Sequence, residues 1–138
     1  AYNAGVDSGL MIAQYTQAAL VSENKRLANP ASVDSIPSSA MQEDHVSMGW
    51  SAARKLRKVI DNLSNILGIE LLTAARAVEL RKGLSPSRAT SAVIAELRKV
   101  VDPIGPDRFL SPEMERASLV IKEGRAVKAA KAIVTSLS

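Results

Sequence analysis

No cysteine occurs among the 138 residues. That excludes a disulfide framework, a cysteine-ligated zinc site and a thiol nucleophile. Histidine occurs once, as His45. A multi-histidine metal site therefore cannot form within one chain, and a Ser-His-Asp arrangement could be built only around that residue. Aromatic residues are scarce: one Trp, two Tyr and one Phe. Any core must consist of Leu, Ile, Val, Met and Ala, which favours packed helices over a sandwich or barrel. So few rings also argue against a module that stacks RNA bases. No glycine-rich phosphate loop and no metal-ligand spacing are present. No apolar run approaches the roughly 20 residues of a membrane helix, and no signal peptide is visible. A cytoplasmic protein without metal, membrane or nucleic-acid partners is expected.

What is present fits one helical segment over residues 1–138. Hydrophobic residues make up 46% and charged residues 23%, ordinary proportions for a globular chain. The net charge of +4, from 18 basic and 14 acidic residues, reads as solubility rather than nucleic-acid binding. The chain opens without a methionine and in sequence that looks like the interior of a protein, so a piece of a longer polypeptide is expected.

Residues 8–28 read as a helix that Asp7 or Ser8 can cap. Its stripe of Leu10, Ala13, Gln14, Gln17, Leu20, Val21 and Asn24 mixes apolar residues with amides, as a helix with a wet edge does. Residues 29–43, with two prolines and a run of serines, read as an ordered loop anchored by Val33 and Ile36. Loops of such length tend to be functional. Residues 44–82 carry the longest periodic signal: Ala53, Leu56, Ile60, Leu63, Leu67, Glu70, Ala74 and Val78 recur at steps of three and four. A helix of that span is roughly 55 Å long, too long for a compact chain of this size, so partner helices are expected along the seam. Gly68 costs about 1 kcal/mol relative to Ala in mid-helix, which predicts the close approach of a neighbouring helix. Glu70 on the seam is either a paired carboxylate or one rotated to water. Gly83 is expected as a left-handed cap. Ser85-Pro86 restarts a helix over 86–101, and Ser111-Pro112-Glu113 starts another over 112–122. A last helix over 125–136 follows Gly124. No strand is expected.

Gln42-Glu43-Asp44-His45 concentrates acid–base groups where the loop meets the long helix. Carboxylates there either complement the helix dipole or serve chemistry. Successive helical residues point about 100° apart, so only one or two could face a site. The run Arg54-Lys55-Leu56-Arg57-Lys58 reads as a solvated face, and the sequon Asn62-Leu63-Ser64 lies within a helix and is discounted.

The stretch ASVDSIPSSAMQEDHVSMG, residues 31–49, closely resembles the histidine ammonia-lyase family. The likeness extends from SGLMIAQYTQAALVSENKRLANP ahead of it through IELLTAARAVELR at 69–81 and weakens towards LSPEMERASLVIKEG. It covers the whole chain, as the last quarter or so of such an enzyme. The resemblance implies a largely helical fold of long helices. It further implies a homotetramer whose active sites each draw on three subunits, and elimination of ammonia from L-histidine to give urocanate. The family's electrophile is a methylidene-imidazolone made from an Ala-Ser-Gly tripeptide. This sequence has no Ala-Ser-Gly, so the prosthetic group is expected upstream in the same polypeptide, and the chain alone is expected to be inactive. Glu43 matches the family's active-site glutamate, as base or as substrate-positioning group. Gln42, in the same turn, is implied as its neighbour at the substrate. Met11 matches a substrate-pocket position at which plant phenylalanine enzymes carry Lys, and those enzymes replace the Glu43 position with an amide. Both residues therefore favour histidine as substrate. A non-catalytic helical oligomerisation module related to the lyases is the alternative.

Overall fold

A computed structural model describes residues 3–103 and 105–134. Among them are five α-helices and a short 3-10 turn: α1 (Met11–Leu27), the turn at Ala31–Val33, α2 (Gly49–Glu79), α3 (Arg88–Leu97), α4 (Ser111–Lys122) and α5 (Arg125–Lys131). No strand occurs among the described residues; there is one isolated antiparallel bridge, between Ser38 and Glu43. The all-α architecture follows from a core that aromatic side chains cannot fill. Leu72, Ala75, Leu97, Val101 and Ala117 pack together, flanked by Leu10, Leu71, Ile94 and Val100.

The 31-residue α2 is the axis. α1 and α4 lie along it, and α3 pairs with α5. α4 approaches α2 closely at Gly68. A Cβ built there would stand 2.6 Å from the backbone nitrogen of Ser118 and 2.8 Å from its Cα. The mid-helix glycine is thus where α4 crosses α2, and the buried Ser118 donates its hydroxyl to Asn65 Oδ1 at 2.7 Å beside the crossing. Gly68→Ala should therefore destabilise by about 1–3 kcal/mol, although alanine is the better helix former by about 1 kcal/mol. The obstruction is backbone, which cannot swing aside as a side chain can. Denaturant unfolding of the two proteins measures the difference.

The face of α2 turned into the chain is Asn62, Gly68, Ile69, Leu72 and Ala75. The neighbouring seam is not covered: Leu56, Ile60, Leu63 and Leu67 are 59%, 53%, 48% and 38% exposed, and Glu70 on the same seam reaches water. Ion pairs fasten the scaffold. Arg98 bonds both oxygens of Glu79, at 2.7 and 2.8 Å, joining α3 to the end of α2. Arg125 joins α5 to Glu96 at 2.7 Å, and Lys122 joins α4 to Asp61 at 3.0 Å.

Several boundaries differ from the sequence reading. α2 begins at Gly49, not 44, because residues 44–46 are taken up by Ser35: its hydroxyl receives the Val46 amide at 2.7 Å. It ends at Glu79, and Gly83 takes its positive φ of 81° in the following turn rather than as the helix cap. α3 starts after Ser87, whose hydroxyl accepts from the Thr90 amide at 3.2 Å, so Ser87 and not Ser85 is the cap. Ser111 is already inside α4, with Pro112 in its first turn. α5 stops at Lys131, and residues 135–136 of the expected helix lie outside the described residues. Neither Asp7 nor Ser8 caps α1. The amides of Ser8 and Gly9 instead meet the carboxylate of Asp107, at 2.6 and 3.0 Å, from the far end of the chain.

Gln14 is exposed, as a wet edge predicts, whereas the other amides of the α1 stripe, Gln17 and Asn24, face α2. Gln17 donates to the Ile66 carbonyl at 3.0 Å, and Asn62 donates to Glu23 and Asn24 at 2.8 and 2.9 Å. They are the polar clasp between α1 and α2. Asn62 is 1% exposed, which closes the sequon to any modifying enzyme in the folded state.

Candidate functional site

The loop between α1 and α2 is a hairpin held by serine hydroxyls. Pro30 fixes the entry to the 3-10 turn. Ser35 then gathers the returning segment. Its hydroxyl accepts from Val46 and faces the Asp44 and Val46 carbonyls at 3.5 and 3.4 Å. Nearer the tip, Ser38 and Glu43 exchange backbone bonds, Ser38 N to Glu43 O at 2.8 Å and Glu43 N to Ser38 O at 3.3 Å. Gln42 N closes the tip on Ser39 O at 3.1 Å. Val33 and Ile36 do not anchor the loop within this chain; they are 80% and 54% exposed.

The tip is strained. Ser39, Ala40 and Met41 have φ values of 54°, 53° and 68°. Left-handed geometry costs a residue with a Cβ roughly 1–2 kcal/mol, and consecutive residues bearing it concentrate where a chain is held for a purpose. Here the turn presents Gln42 and Glu43, both exposed. The Ser38 hydroxyl donates to Glu43 Oε2 at 3.0 Å. Glu43 Oε1 receives no hydrogen bond among the described residues. A carboxylate with one oxygen tied and one open can accept a proton or pair with a cation.

Glu43 lies six positions before α2, whose first turn contains no acidic residue. Neither it nor Asp44 caps the helix. Met11 is the first residue of α1 and about half exposed. The hairpin leaves the opposite end of α1, about 24 Å of helix away. Among the described residues no hydrogen bond joins Met11 to Gln42 or Glu43. The Asp107 carboxylate fastens the amides just ahead of Met11, a role no local pattern announced. His45 and Asp34 line a cleft of about 460 Å³ under the hairpin, but the His45 ring makes no hydrogen bond to Asp34 or to a serine among the described residues, so no base–nucleophile pair forms there. A larger apolar cleft of about 740 Å³ runs between the second half of α1 and the first half of α2, lined by Val21, Leu27, Leu56 and Leu63 among others.

Perturbed titrations lie on the scaffold, away from the hairpin. The hydrogen bond from Lys122 holds the Asp61 carboxyl below its usual range. Hydrogen bonds from Lys99 and then Arg125 do the same for Glu96. The Glu113 carboxylate holds the proton on Arg108 more firmly than usual. These shifts mark structural ion pairs. No group of three or more His, Cys, Asp or Glu among the described residues could hold a metal ion, and no helix among them is long and apolar enough to cross a membrane.

The chain is similar in sequence and in fold to known proteins. The chain is 64% identical over 137 residues to a histidine ammonia-lyase of Streptomyces avermitilis and 62% identical over 139 residues to that of Streptomyces griseus, in each case over 99% of this chain and 27% of the relative. It thus spans about a quarter of the length of the curated relatives it matches. Among solved structures, the histidine ammonia-lyase of Trypanosoma cruzi superposes with a TM-score of 0.87 at 42% identity, over 94% of this chain and 26% of that one. A tyrosine aminomutase of Streptomyces globisporus superposes with the same score at 35% identity, over 99% and 26%. The family model for aromatic amino acid lyases matches residues 1–99, from ahead of α1 through the hairpin and α2 to just past α3. With the hairpin, the long helix and the likeness all falling in the same stretch, the chain belongs to the aromatic amino acid lyase family.

Proposed function

We propose that this chain is the C-terminal segment of a histidine ammonia-lyase, which eliminates ammonia from L-histidine to give urocanate. The observation that supports it most is the likeness to histidine ammonia-lyases along nearly the whole chain, joined to an exposed carboxylate held at the tip of a strained hairpin. Elimination requires a group to take a weakly acidic proton and polar groups to hold the imidazole and the amine. Glu43 is the residue here suited to either task. Gln42 beside it can donate and accept hydrogen bonds, and Met11 offers an apolar wall to the ring. The methylidene-imidazolone of the family supplies an electrophile when present. Its precursor tripeptide is absent from this sequence, so the group does not fit this chain and belongs to another part of the polypeptide.

The uncovered seam of α2 supports assembly. Exposed apolar surface in a continuous strip marks an interface, and Leu56, Ile60, Leu63 and Leu67 form such a strip. In this reading helices of other subunits cover it in a cytoplasmic homotetramer. The separation of Met11 from the Glu43 hairpin fits a site assembled from more than one chain.

Urocanate is followed by its absorbance. The full-length enzyme carrying this chain should release it from L-histidine, and the 138-residue chain alone should release none. Urocanate from the isolated chain would overturn the segment reading. A full-length enzyme that deaminates phenylalanine or tyrosine but spares histidine would overturn the substrate assignment.

A further inference from the structure

We propose that Ser38 is a positioning residue for the Glu43 carboxylate, fixing which of its two oxygens faces the substrate. The proposal rests on the reading of Glu43 as a group that acts on substrate. Ser38 and Glu43 exchange two backbone hydrogen bonds, at 2.8 and 3.3 Å. Residues paired in this way stand directly opposite each other with their side chains on one face. The hydroxyl of Ser38 therefore arrives beside the carboxylate without help from any other element, and it donates to Oε2 at 3.0 Å. A hydroxyl-to-carboxylate bond of this kind is stronger than a neutral one.

The geometry explains why the tip accepts its strain. A glutamate has three rotatable side-chain bonds, and an exposed one samples many rotamers. Glu43 is exposed, yet one oxygen is tied to Ser38 and the other is open among the described residues. The four residues between the pair, with Ser39, Ala40 and Met41 in the left-handed region, return the chain so that this pairing is in register. A one-residue slip would send the two side chains to opposite faces. The turn thus sets the register, the register sets the hydrogen bond, and the hydrogen bond sets the free oxygen. Holding a reacting group in place in this way contributes to rate by orientation, not by chemistry.

The test uses the full-length enzyme carrying this chain, with kcat and KM for L-histidine measured on the wild type, Ser38→Ala, Ser38→Thr, Glu43→Gln and the Ser38→Ala/Glu43→Gln double variant. Loss of one hydrogen bond to a charged group at an exposed position should lower kcat about tenfold in Ser38→Ala. Ser38→Thr, which keeps the hydroxyl, should restore most of it. In the Glu43→Gln background Ser38→Ala should cost almost nothing more, because the oxygen it orients is no longer a carboxylate. A wild-type kcat in Ser38→Ala, or the same proportional loss in both backgrounds, overturns the proposal while leaving Glu43 in its role. A near-wild-type rate in Glu43→Gln itself removes the reading beneath it and the proposal with it. Should Ser38→Ala fail to fold, Ser38→Cys, a weaker donor of similar size, takes its place and is judged by the same two comparisons.

Discussion

Glu43→Gln in the full-length enzyme should reduce turnover of L-histidine by about 10²–10⁴-fold, the usual cost of losing one positioned acid or base, and leave the melting temperature nearly unchanged. Glutamine keeps the shape and an acceptor oxygen for the Ser38 hydroxyl. It cannot take a proton, and it carries no charge for the cationic substrate. The stability half of this expectation comes from the fold. A carboxylate in the first turn of a helix contributes roughly 0.3–1 kcal/mol through the helix dipole, but α2 does not begin until Gly49. Parallel measurement of turnover and melting separates the two roles. An unchanged rate would leave Glu43 as a surface carboxylate and take away the strongest chemical feature of the hairpin.

Arg108→Met should destabilise the protein by about 3 kcal/mol, the low end for breaking a buried ion pair. Glu113 is only 4% exposed. Its carboxylate is met by the Arg108 guanidinium on both oxygens, with Nη2 to Oε2 at 3.0 Å. Removing the arginine leaves a charge inside the helix packing with no partner. The low end applies because the Arg108 side chain is 31% exposed, so water reaches the vacated side. Arg108 also donates to the carbonyls of Asp102 and Pro103, each at 3.2 Å, and so holds the loop that delivers Asp107 to the start of α1. Adding Glu113→Gln to Arg108→Met should recover much of the loss, since the stranded charge is then gone. Urea unfolding of the single and double variants measures both effects; equal stability of the two would mean that the pair is not the source.

The elements most legible in the sequence were those in which a local rule was broken for a reason. Gly68 stood out because glycine is a poor helix former in the middle of a long periodic run, and the crossing of α4 is that reason. The seam from Leu56 to Leu67 is legible because period alone reveals an apolar strip, and within this chain that strip is exposed. The start of α2 was not legible. Asp44 and Glu43 look like first-turn acids, but the Ser35 hydroxyl and backbone pairing with Ser38 claim this stretch first, and that competition is invisible to a one-dimensional pattern. Val33 and Ile36 differ from expectation for a related reason: apolar residues in a loop suggest anchors, whereas within this chain hydroxyls hold the loop. The three left-handed residues at its tip carry no glycine to announce them. Ser87 as the cap of α3 was obscured by Ser85 and Pro86, which offer an equally good signal two residues earlier.

The clasp of Asp107 on Ser8 and Gly9 has a kinetic consequence. Its partners are 99 and 98 positions apart. Closing a flexible loop of that length costs about 4 kcal/mol in chain entropy, while two exposed hydrogen bonds to a carboxylate return about 3 kcal/mol, the low end for charged acceptors. The clasp therefore cannot lead folding. It forms only after α1 and α4 have docked on α2 and shortened the distance for it, so the turn carrying Met11 is among the last parts of the chain to settle, and among the first to open when the molecule breathes.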